Sequence, residues 1–232
     1  MVSIIIPTYN ESVQVTAAIS SLQAANTDHH PVEIIVVDGG STDNTVELAR
    51  QCGARVIQGA RKGRAVQLNT GASAAAGDIL YFLHADTLPP PGFLAQLVTA
   101  CNRGAVGGCF RLRFDSGHWF LRANAWFTRF NLNALRFGDQ SLFVTREVFH
   151  RSGGYREDLL LMEDQEIIRR IKHHGPFHVL PRAVVTSARK YRRYGVYRTQ
   201  STFYLIWALY YLGVSQEKLV TLHRRRFGQG DS

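Results

Sequence analysis

The chain has 232 residues and a formal net charge of +9, and 45% of its residues are hydrophobic while 19% are charged. This composition excludes a disordered or fibrous protein and predicts a globular one. No repeat or linker-like segment divides the chain, so we expect one continuous domain over residues 1–232 with a sizeable core. The cysteines, Cys52, Cys101 and Cys109, are odd in number and lack C-x-x-C spacing, which argues against a disulfide framework or a zinc site.

The two ends of the chain differ in charge. Residues 1–49 contain six acids and no Lys or Arg, whereas the chain from Arg182 onward contains ten Lys or Arg and two acids. A surface of one sign attracts the other, so the C-terminal part favours a nucleotide diphosphate, a lipid headgroup surface or nucleic acid. The chain starts on an apolar run without the basic residues of a secretory signal, so a cytoplasmic protein is expected.

Short apolar runs rich in β-branched residues alternate with helical patterns along the first hundred residues. The runs lie at residues 3–6, 33–37, 55–57 and 79–83. This alternation predicts an α/β fold with a doubly wound, mostly parallel, Rossmann-like sheet. Ligands bind beyond the carboxyl ends of the strands in such sheets, so the residues after each run are the candidate site.

Asp38 closes the second run and is followed by two glycines and the polar residues 41–43. The glycines permit a tight turn, and one of the polar residues can cap the next helix. An acid at this place is suited to hydrogen bonding with the base or ribose of a nucleotide. Further on, residues 61–71 begin with basic residues and a glycine, which is equally consistent with an anion site at a helix start and with a helix start that is merely solvated.

His84 and Asp86 end the fourth run if that strand continues to residue 86. Side chains two apart on a strand share a face, so an imidazole and a carboxylate would converge there. Such a pair could hold Mg²⁺ or Mn²⁺ against a diphosphate. The alternative is that Asp86 caps a helix and His84 is a packed strand residue.

Asp164 belongs to a helix predicted near residues 162–174. At 100° per residue, Ile167, Ile168 and Ile171 form one apolar stripe, with Asp164 at its centre and Glu163 and Glu166 off it. Burying an unpaired charge costs several kcal/mol, so this position predicts a functional carboxylate at the floor of a cleft that acts as a base. The alternative is an acid that favours the helix N-terminus.

The longest apolar stretch, residues 203–213, is too short to span a bilayer. A buried helix is one interpretation. Its aromatic residues and the preceding basic run also allow peripheral contact with an anionic membrane.

Taken together, these segments resemble the family 2 glycosyltransferases of the GT-A fold over nearly the whole chain. The resemblance is carried by residues 3–11, 36–45 and 84–86 and by the pair Glu163 and Asp164. The compact form, with residues 82–86 and the basic run 189–193, is similar to the subgroup associated with radical-SAM and selenium-linked domains. The resemblance implies a nucleotide-diphospho-sugar donor, a divalent cation (Mn²⁺ or Mg²⁺), and inverting transfer to an acceptor hydroxyl.

The resemblance also implies roles for individual residues. Asp164 would be the general base with Glu163 beside it, and Asp86 would be the metal carboxylate, with His84 as the second metal ligand that the spacing suggests. Residues implied to bind the donor are Pro7, Thr8, Tyr9, Glu11, Asp38, Gly63, Arg64, His84 and Asp86. Residues implied to contact the acceptor or diphosphate are Asp139, Arg189, Lys190 and Arg193. The donor-binding half would span residues 1–103, the acceptor-side half 104–186, and a basic C-terminal helical extension 187–232.

The sequence departs from the family pattern in one important place. His84 stands where the Asp-x-Asp element has its first acid, and an imidazole suits Mn²⁺ better than Mg²⁺. The Gln-x-x-Arg-Trp element of processive members is absent, so we do not expect processive polymer synthesis. Because the resemblance implies a nucleotide-diphospho-sugar donor, a nucleic-acid partner is not expected. Two alternatives are a noncatalytic module that binds a nucleotide sugar or an anionic membrane, and a sugar-phosphate nucleotidyltransferase. The acidic N-terminal part has no Gly-rich basic triphosphate loop, which disfavours the nucleotidyltransferase.

Overall fold

In the part of the chain that the structure describes, eight strands form one central sheet in the order β3-β2-β1-β4-β7-β6-β8-β5. A computed structural model describes residues 1–59, 63–133 and 140–228. The strands are β1 (Val2–Thr8), β2 (Val32–Asp38), β3 (Arg55–Gln58), β4 (Ile79–Phe82), β5 (Thr87–Leu88), β6 (Gly107–Phe114), β7 (Leu142–Thr145) and β8 (Phe177–Thr186). Strands β5 and β7 run against the direction of the others. The predicted mostly parallel α/β sheet is confirmed.

Helices cover both faces of this sheet. They are α1 (Ser12–Ala25), α2 (Thr45–Gln51), α3 (Arg64–Ala74), α4 (Phe93–Asn102), α5 (Trp119–Phe127), α6 (Arg146–Arg151), α7 (Glu163–Ile171), α8 (Arg189–Tyr194), α9 (Val196–Tyr211) and α10 (Gln216–Phe227). The last three form the predicted helical extension. Within the described parts of the chain, no helix is both long enough and apolar enough to cross a membrane.

Two hydrophobic cores lie on opposite faces of the sheet because successive strand side chains alternate. On β1, Ile4 and Ile6 join the core beneath α1, α2, α4, α5 and α8, while Ile5 joins the core beneath α3, α6 and α7. Helix α3 approaches the sheet closely at Gly71, where a Cβ atom would collide with the side chains of Ile5 and Val37. This close approach brings the start of α3 to the ends of β1 and β2.

Strand β4 is shorter than predicted, and this is a correction to the sequence interpretation. The Leu83 amide still donates to the carbonyl of Ile5 at 3.0 Å, but the Thr87 amide then donates to the carbonyl of His84 at 3.1 Å and closes a turn. His84 and Asp86 therefore lie on a turn after the strand and not on one strand face. Asp86 is also not a helix cap, because α4 begins later, after Gly92.

The apolar stretch at residues 203–213 lies mainly in α9. Ile206 is buried there, but Tyr204, Leu205, Tyr211 and Leu212 are exposed. The interpretation of a buried helix therefore holds for one side of α9 only, because its other side is exposed.

Candidate active site

The loops after β1 and β2 form one connected rim of the site. Asn10 has a left-handed backbone (φ 54°), and its side-chain oxygen accepts the Thr42 amide at 2.9 Å. Its own amide donates to Ser41 Oγ at 2.9 Å. The Glu11 amide donates to Thr45 Oγ1 at 2.9 Å. Backbone strain of this kind persists where the surroundings hold it, and here the hydrogen bonds between the loops do so.

Asp38 is buried at the base of this rim. One carboxylate oxygen accepts the amides of Gly40 and Ser41 at 2.9 Å each, and the other accepts the Ser41 hydroxyl. The turn requires a positive φ at Gly40 (90°), and glycine adopts this conformation without a steric cost. Asp38 therefore fixes the shape of the loop, and its predicted contact with a nucleoside would use the lone pairs that these bonds leave.

Among the other predicted donor residues, Pro7 lines a small cleft at the end of β1 together with Arg64, His84 and Asp164. Thr8 is buried, and Tyr9 is exposed beside it on the rim. Gly63 precedes α3 with φ 141°. Sequence reasoning missed Gln67, whose amide donates to the carbonyls of Thr8 and Val37 at 2.8 Å each and so ties β1 to β2 beneath the rim.

Arg64 brings the predicted catalytic acids and His84 together. Its Nη1 lies 3.2 Å from Glu163 Oε1, its Nη2 is paired with Asp164 Oδ2, and Nη2 also contacts His84 Nε2 at 2.6 Å. A guanidinium can only donate, so His84 Nε2 acts as the acceptor and its proton is on Nδ1 in this geometry. The positively charged Arg64 guanidinium therefore lies between the imidazole nitrogen of His84 and the carboxylate of Asp164.

Asp164 and Glu163 are the first residues of α7, after Met162 in a left-handed conformation (φ 72°). The side chain of Asp164 is 17% exposed and that of Glu163 is 5% exposed. Helical phase placed Glu163 and Glu166 off the apolar stripe, which is wrong as a guide to burial because both are buried. The Glu163 side chain is buried by other elements, among them α3, whose Arg64 contacts it. Burial raises the pKa of Glu163 to about 7, against the opposing charge of Arg64 and with a further contribution from Asp164.

A second acidic pair, Glu11 and Asp86, lies next to Arg189 of α8. Arg189 Nη2 is 3.7 Å from Glu11 Oε1. Burial raises the pKa of Asp86, against the charge of Arg189. Burial also raises the pKa of Glu11; Arg189 opposes this, and the charge of Asp86 adds to it. Because the charged forms of these two neighbouring carboxyl groups are disfavoured, an additional cation beside them would be stabilised by their charge.

The remaining predicted residues are less directly placed. Lys190 Nζ lies 5.8 Å from the ring centre of Phe203 and 5.1 Å from that of Phe227, and the Arg193 guanidinium lies over Tyr194. These contacts direct both side chains toward aromatic residues of the helical extension. Asp139 lies outside the described residues.

Tyr155 is a site residue that sequence reasoning missed. Its ring packs on Phe82, and it lines the cleft beside Arg64 and Asp164. Its hydroxyl is buried and, among the described residues, has no hydrogen-bond partner, an arrangement that costs about 1–3 kcal/mol. Asn69 of α3 fixes the Tyr155 backbone by donating to its carbonyl and accepting its amide, both at 2.8 Å. The available sequence signal was the glycine pair at 153 and 154 just before Tyr155. In the structure both glycines have positive φ.

In described residues, no group of three or more His, Cys, Asp and Glu side chains is arranged to hold a metal ion. A divalent cation would therefore have to complete its coordination with ligand oxygens. The chemistry of the available donors fits such a cation, because Asp86 offers a carboxylate and His84 Nε2 an unprotonated nitrogen.

Comparison of this chain with known proteins identifies its family. The sequence profile described as glycosyl transferase family 2 matches residues 3–159. The chain belongs to glycosyl transferase family 2. The family prediction made from residues 3–11, 36–45 and 84–86 is thus confirmed.

Curated relatives of this family 2 protein agree with that assignment. The chain is 34% identical over 132 residues to the undecaprenyl-phosphate 4-deoxy-4-formamido-L-arabinose transferase of Aeromonas hydrophila, covering 53% of this chain and 40% of that protein. It is 30% identical over 125 residues to glycosyltransferase AglE of Haloferax volcanii, covering 50% and 41%. The chain therefore spans well under half the length of these curated relatives.

Among solved structures, the mannosyltransferase PcManGT of Pyrobaculum calidifontis, in complex with GDP-Man and Mn²⁺, is similar in fold. Its TM-score is 0.72 at 22% identity, covering 89% of this chain and 62% of that one. The glucosyl-3-phosphoglycerate synthase of Mycobacterium tuberculosis, with Mn²⁺ and UDP, has a TM-score of 0.59 at 19% identity, covering 100% and 81%. These likenesses confirm the predicted GT-A type of fold.

Proposed function

We propose that this protein is an inverting glycosyltransferase that moves a sugar from a nucleotide-diphospho-sugar to an acceptor hydroxyl, with Asp164 as the general base. The observation that carries the proposal is the assembly of Asp164, Arg64 and His84 in one cleft beyond the carboxyl ends of β1 and β4. That edge of a parallel sheet is where such folds bind nucleotides. The names of relatives and fold neighbours, which are sugar transferases, support the same chemistry.

In the proposed reaction, one displacement exchanges two bonds at the anomeric carbon. The acceptor oxygen attacks from the face opposite the diphosphate, and its proton passes to Asp164 Oδ. The bond from the anomeric carbon to the diphosphate oxygen breaks, and its electron pair leaves with the nucleoside diphosphate. Attack and departure on opposite faces invert the centre. General-base assistance of this kind contributes roughly 10²–10⁴ in rate.

Arg64 has to release Asp164 before that carboxylate can accept a proton. Its guanidinium is bound to two acids in this structure and is about one-third exposed, so a diphosphate entering the cleft offers it a competing pair of oxygens. We propose that Arg64 moves to the donor diphosphate on binding. Tyr155 would then donate its unpaired hydroxyl to the substrate or to Asp164.

Asp86 is the proposed carboxylate ligand of a divalent cation, with His84 Nε2 as a nitrogen ligand once Arg64 has moved. Bound Mn²⁺ or Mg²⁺ would neutralise charge on the departing diphosphate. Fold neighbours were solved with Mn²⁺. The imidazole makes Mn²⁺ the better match for this pair of ligands.

The proposed donor half (1–103) supplies Glu11, Asp38, Arg64 and Asp86, and the acceptor-side half (104–186) supplies Tyr155 and Asp164. Arg189 reaches Glu11 from the C-terminal extension. Placement in the subgroup associated with radical-SAM and selenium-linked domains stays a prediction of the sequence.

Thermal denaturation with a panel of nucleotide-diphospho-sugars tests the donor proposal. A ligand present at 100 times its dissociation constant stabilises the folded state by about 2.7 kcal/mol, so one nucleotide series should raise the melting temperature by several degrees. The rise should increase when Mn²⁺ is present, and Mn²⁺ with the free sugar serves as the control. No response to any nucleotide sugar would contradict the proposal, and stabilisation without transfer to any acceptor would favour a noncatalytic binding module.

A further inference from the structure

Helix α5 turns aromatic side chains toward solvent. Leu121 and Ala125 are buried on its inner side, whereas Trp119 is 65% exposed and Trp126 is 47% exposed. Phe127 and Phe130 are exposed beside Trp126, with ring centres 5.2 and 5.3 Å from it. A helix on a globular domain normally shows polar residues on its outer side. Exposed apolar patches of this kind mark interaction surfaces.

Helix α9 extends this surface. The Tyr204 hydroxyl donates to Asn124 Oδ1 of α5, and the ring centres of Phe120 and Tyr197 are 5.2 Å apart. The two helices therefore lie side by side with exposed residues on both. We name this surface the aromatic face, and it consists of Trp119, Trp126, Phe127, Phe130, Tyr197, Tyr204 and Leu205, all of which are exposed.

The charges on the two helices of the aromatic face have one sign, and Asp115, which precedes α5, is paired with Arg192. Residues 116–133 and 167–216 contain no Asp or Glu. Arg122, Arg129 and Arg198 are exposed on the same two helices or just beyond them. The Arg129 guanidinium lies 4.2 Å from the ring centre of Trp126, so the cation and the aromatic ring present themselves together.

We propose that the aromatic face docks the protein on an anionic membrane surface. Tryptophan and tyrosine rings partition to the boundary between headgroups and acyl chains, and arginines beside them attract anionic headgroups. A second copy of the chain is a poorer occupant. Two aromatic faces brought together would place arginines against arginines with no acid on either face to pair with them. The proposal is independent of the glycosyl-transfer reaction, because it requires no residue of the cleft.

Vesicle binding tests this proposal. The full chain is incubated with phosphatidylcholine vesicles containing 30% phosphatidylglycerol and with pure phosphatidylcholine vesicles, then sedimented. We expect binding to the anionic vesicles, much weaker binding to the neutral ones, a blue shift of tryptophan fluorescence on binding, and loss of binding at high salt. The double variant Trp119→Ser/Trp126→Ser should bind at least tenfold more weakly, and Arg122→Gln or Arg129→Gln each about fivefold more weakly on anionic vesicles.

Val13→Ser is the matched control, because Val13 is 82% exposed on α1 outside the aromatic face. It should bind vesicles as the unaltered protein does. Because all the substituted side chains are exposed, circular dichroism and the melting temperature should not change, which separates loss of docking from loss of folding. Absence of binding to anionic vesicles, equal binding by all variants, or a dimer that the tryptophan variant dissociates would each overturn the proposal.

Discussion

Replacing Asp164 by Asn is expected to lower kcat for sugar transfer by roughly 10²–10⁴, because the amide keeps the shape of the side chain but cannot take the acceptor proton. Donor affinity should be retained or slightly increased. In this variant Arg64 loses its ion pair with Asp164, while its contacts with Glu163 and His84 remain. It is then more easily attracted to the diphosphate. The loss should therefore appear in kcat and not in the donor KM.

Asp78→Asn is the matched control for this substitution. Asp78 directly precedes the amino end of the central strand β4, whereas the cleft lies beyond its carboxyl end, and the Asp78 side chain is 77% exposed. Its amide variant should transfer sugar at the unaltered rate. Near-normal turnover by the Asp164→Asn variant would show that another group takes the proton. Glu163→Gln would then be the next variant to measure, because burial raises the pKa of Glu163 into the range of a base at neutral pH.

Replacing Asp86 by Asn is expected to remove the dependence of transfer on Mn²⁺ and to lower kcat/KM by at least about 10²-fold, because a metal that stabilises the leaving diphosphate contributes several kcal/mol. Folding should survive. Burial raises the pKa of Asp86, so its charged form is disfavoured in the folded state, and that part of the cost disappears in the neutral amide. The melting temperature at neutral pH should be unchanged or higher.

The measurement is a Mn²⁺ titration of transfer activity alongside thermal denaturation of the same two proteins. The Asp78→Asn variant again serves as the control and should keep the unaltered Mn²⁺ response. A Mn²⁺ response in the Asp86→Asn variant equal to that of the unaltered protein would show that Asp86 does not hold the metal. A large drop in melting temperature would instead indicate that folding depends on the attraction between the Asp86 carboxylate and the charge of Arg189.

The sheet could be predicted from sequence because its signal is local. Buried parallel strands are continuous apolar runs, and the runs at 3–6 and 33–37 became β1 and β2 with one to two further residues at their ends. The turn after Asp38 was readable for the same reason, since Gly40 and the polar residues that shape it are neighbours in the chain.

The arrangement of the cleft depends on contacts between distant segments, and this part could not be read from local pattern. Helical phase orients Asp164 relative to the isoleucines of its own helix, but Glu163 is buried by groups from elsewhere, including Arg64, which precedes it by about a hundred residues. The end of β4 at Phe82 depends on a turn that the apolar run does not encode. The exposed aromatic residues of α5 have the composition of a core segment, so their outward direction required the structure.

The stereochemistry of the product tests the central claim most directly. Transfer from an α-linked nucleotide-diphospho-sugar, followed by nuclear magnetic resonance before the product anomers can equilibrate, should show a β-linked product from the first turnover. Inversion follows if the acceptor oxygen, deprotonated by Asp164, attacks from the face opposite the diphosphate. An α-linked product would require two displacements or attack from the same face and would contradict the account.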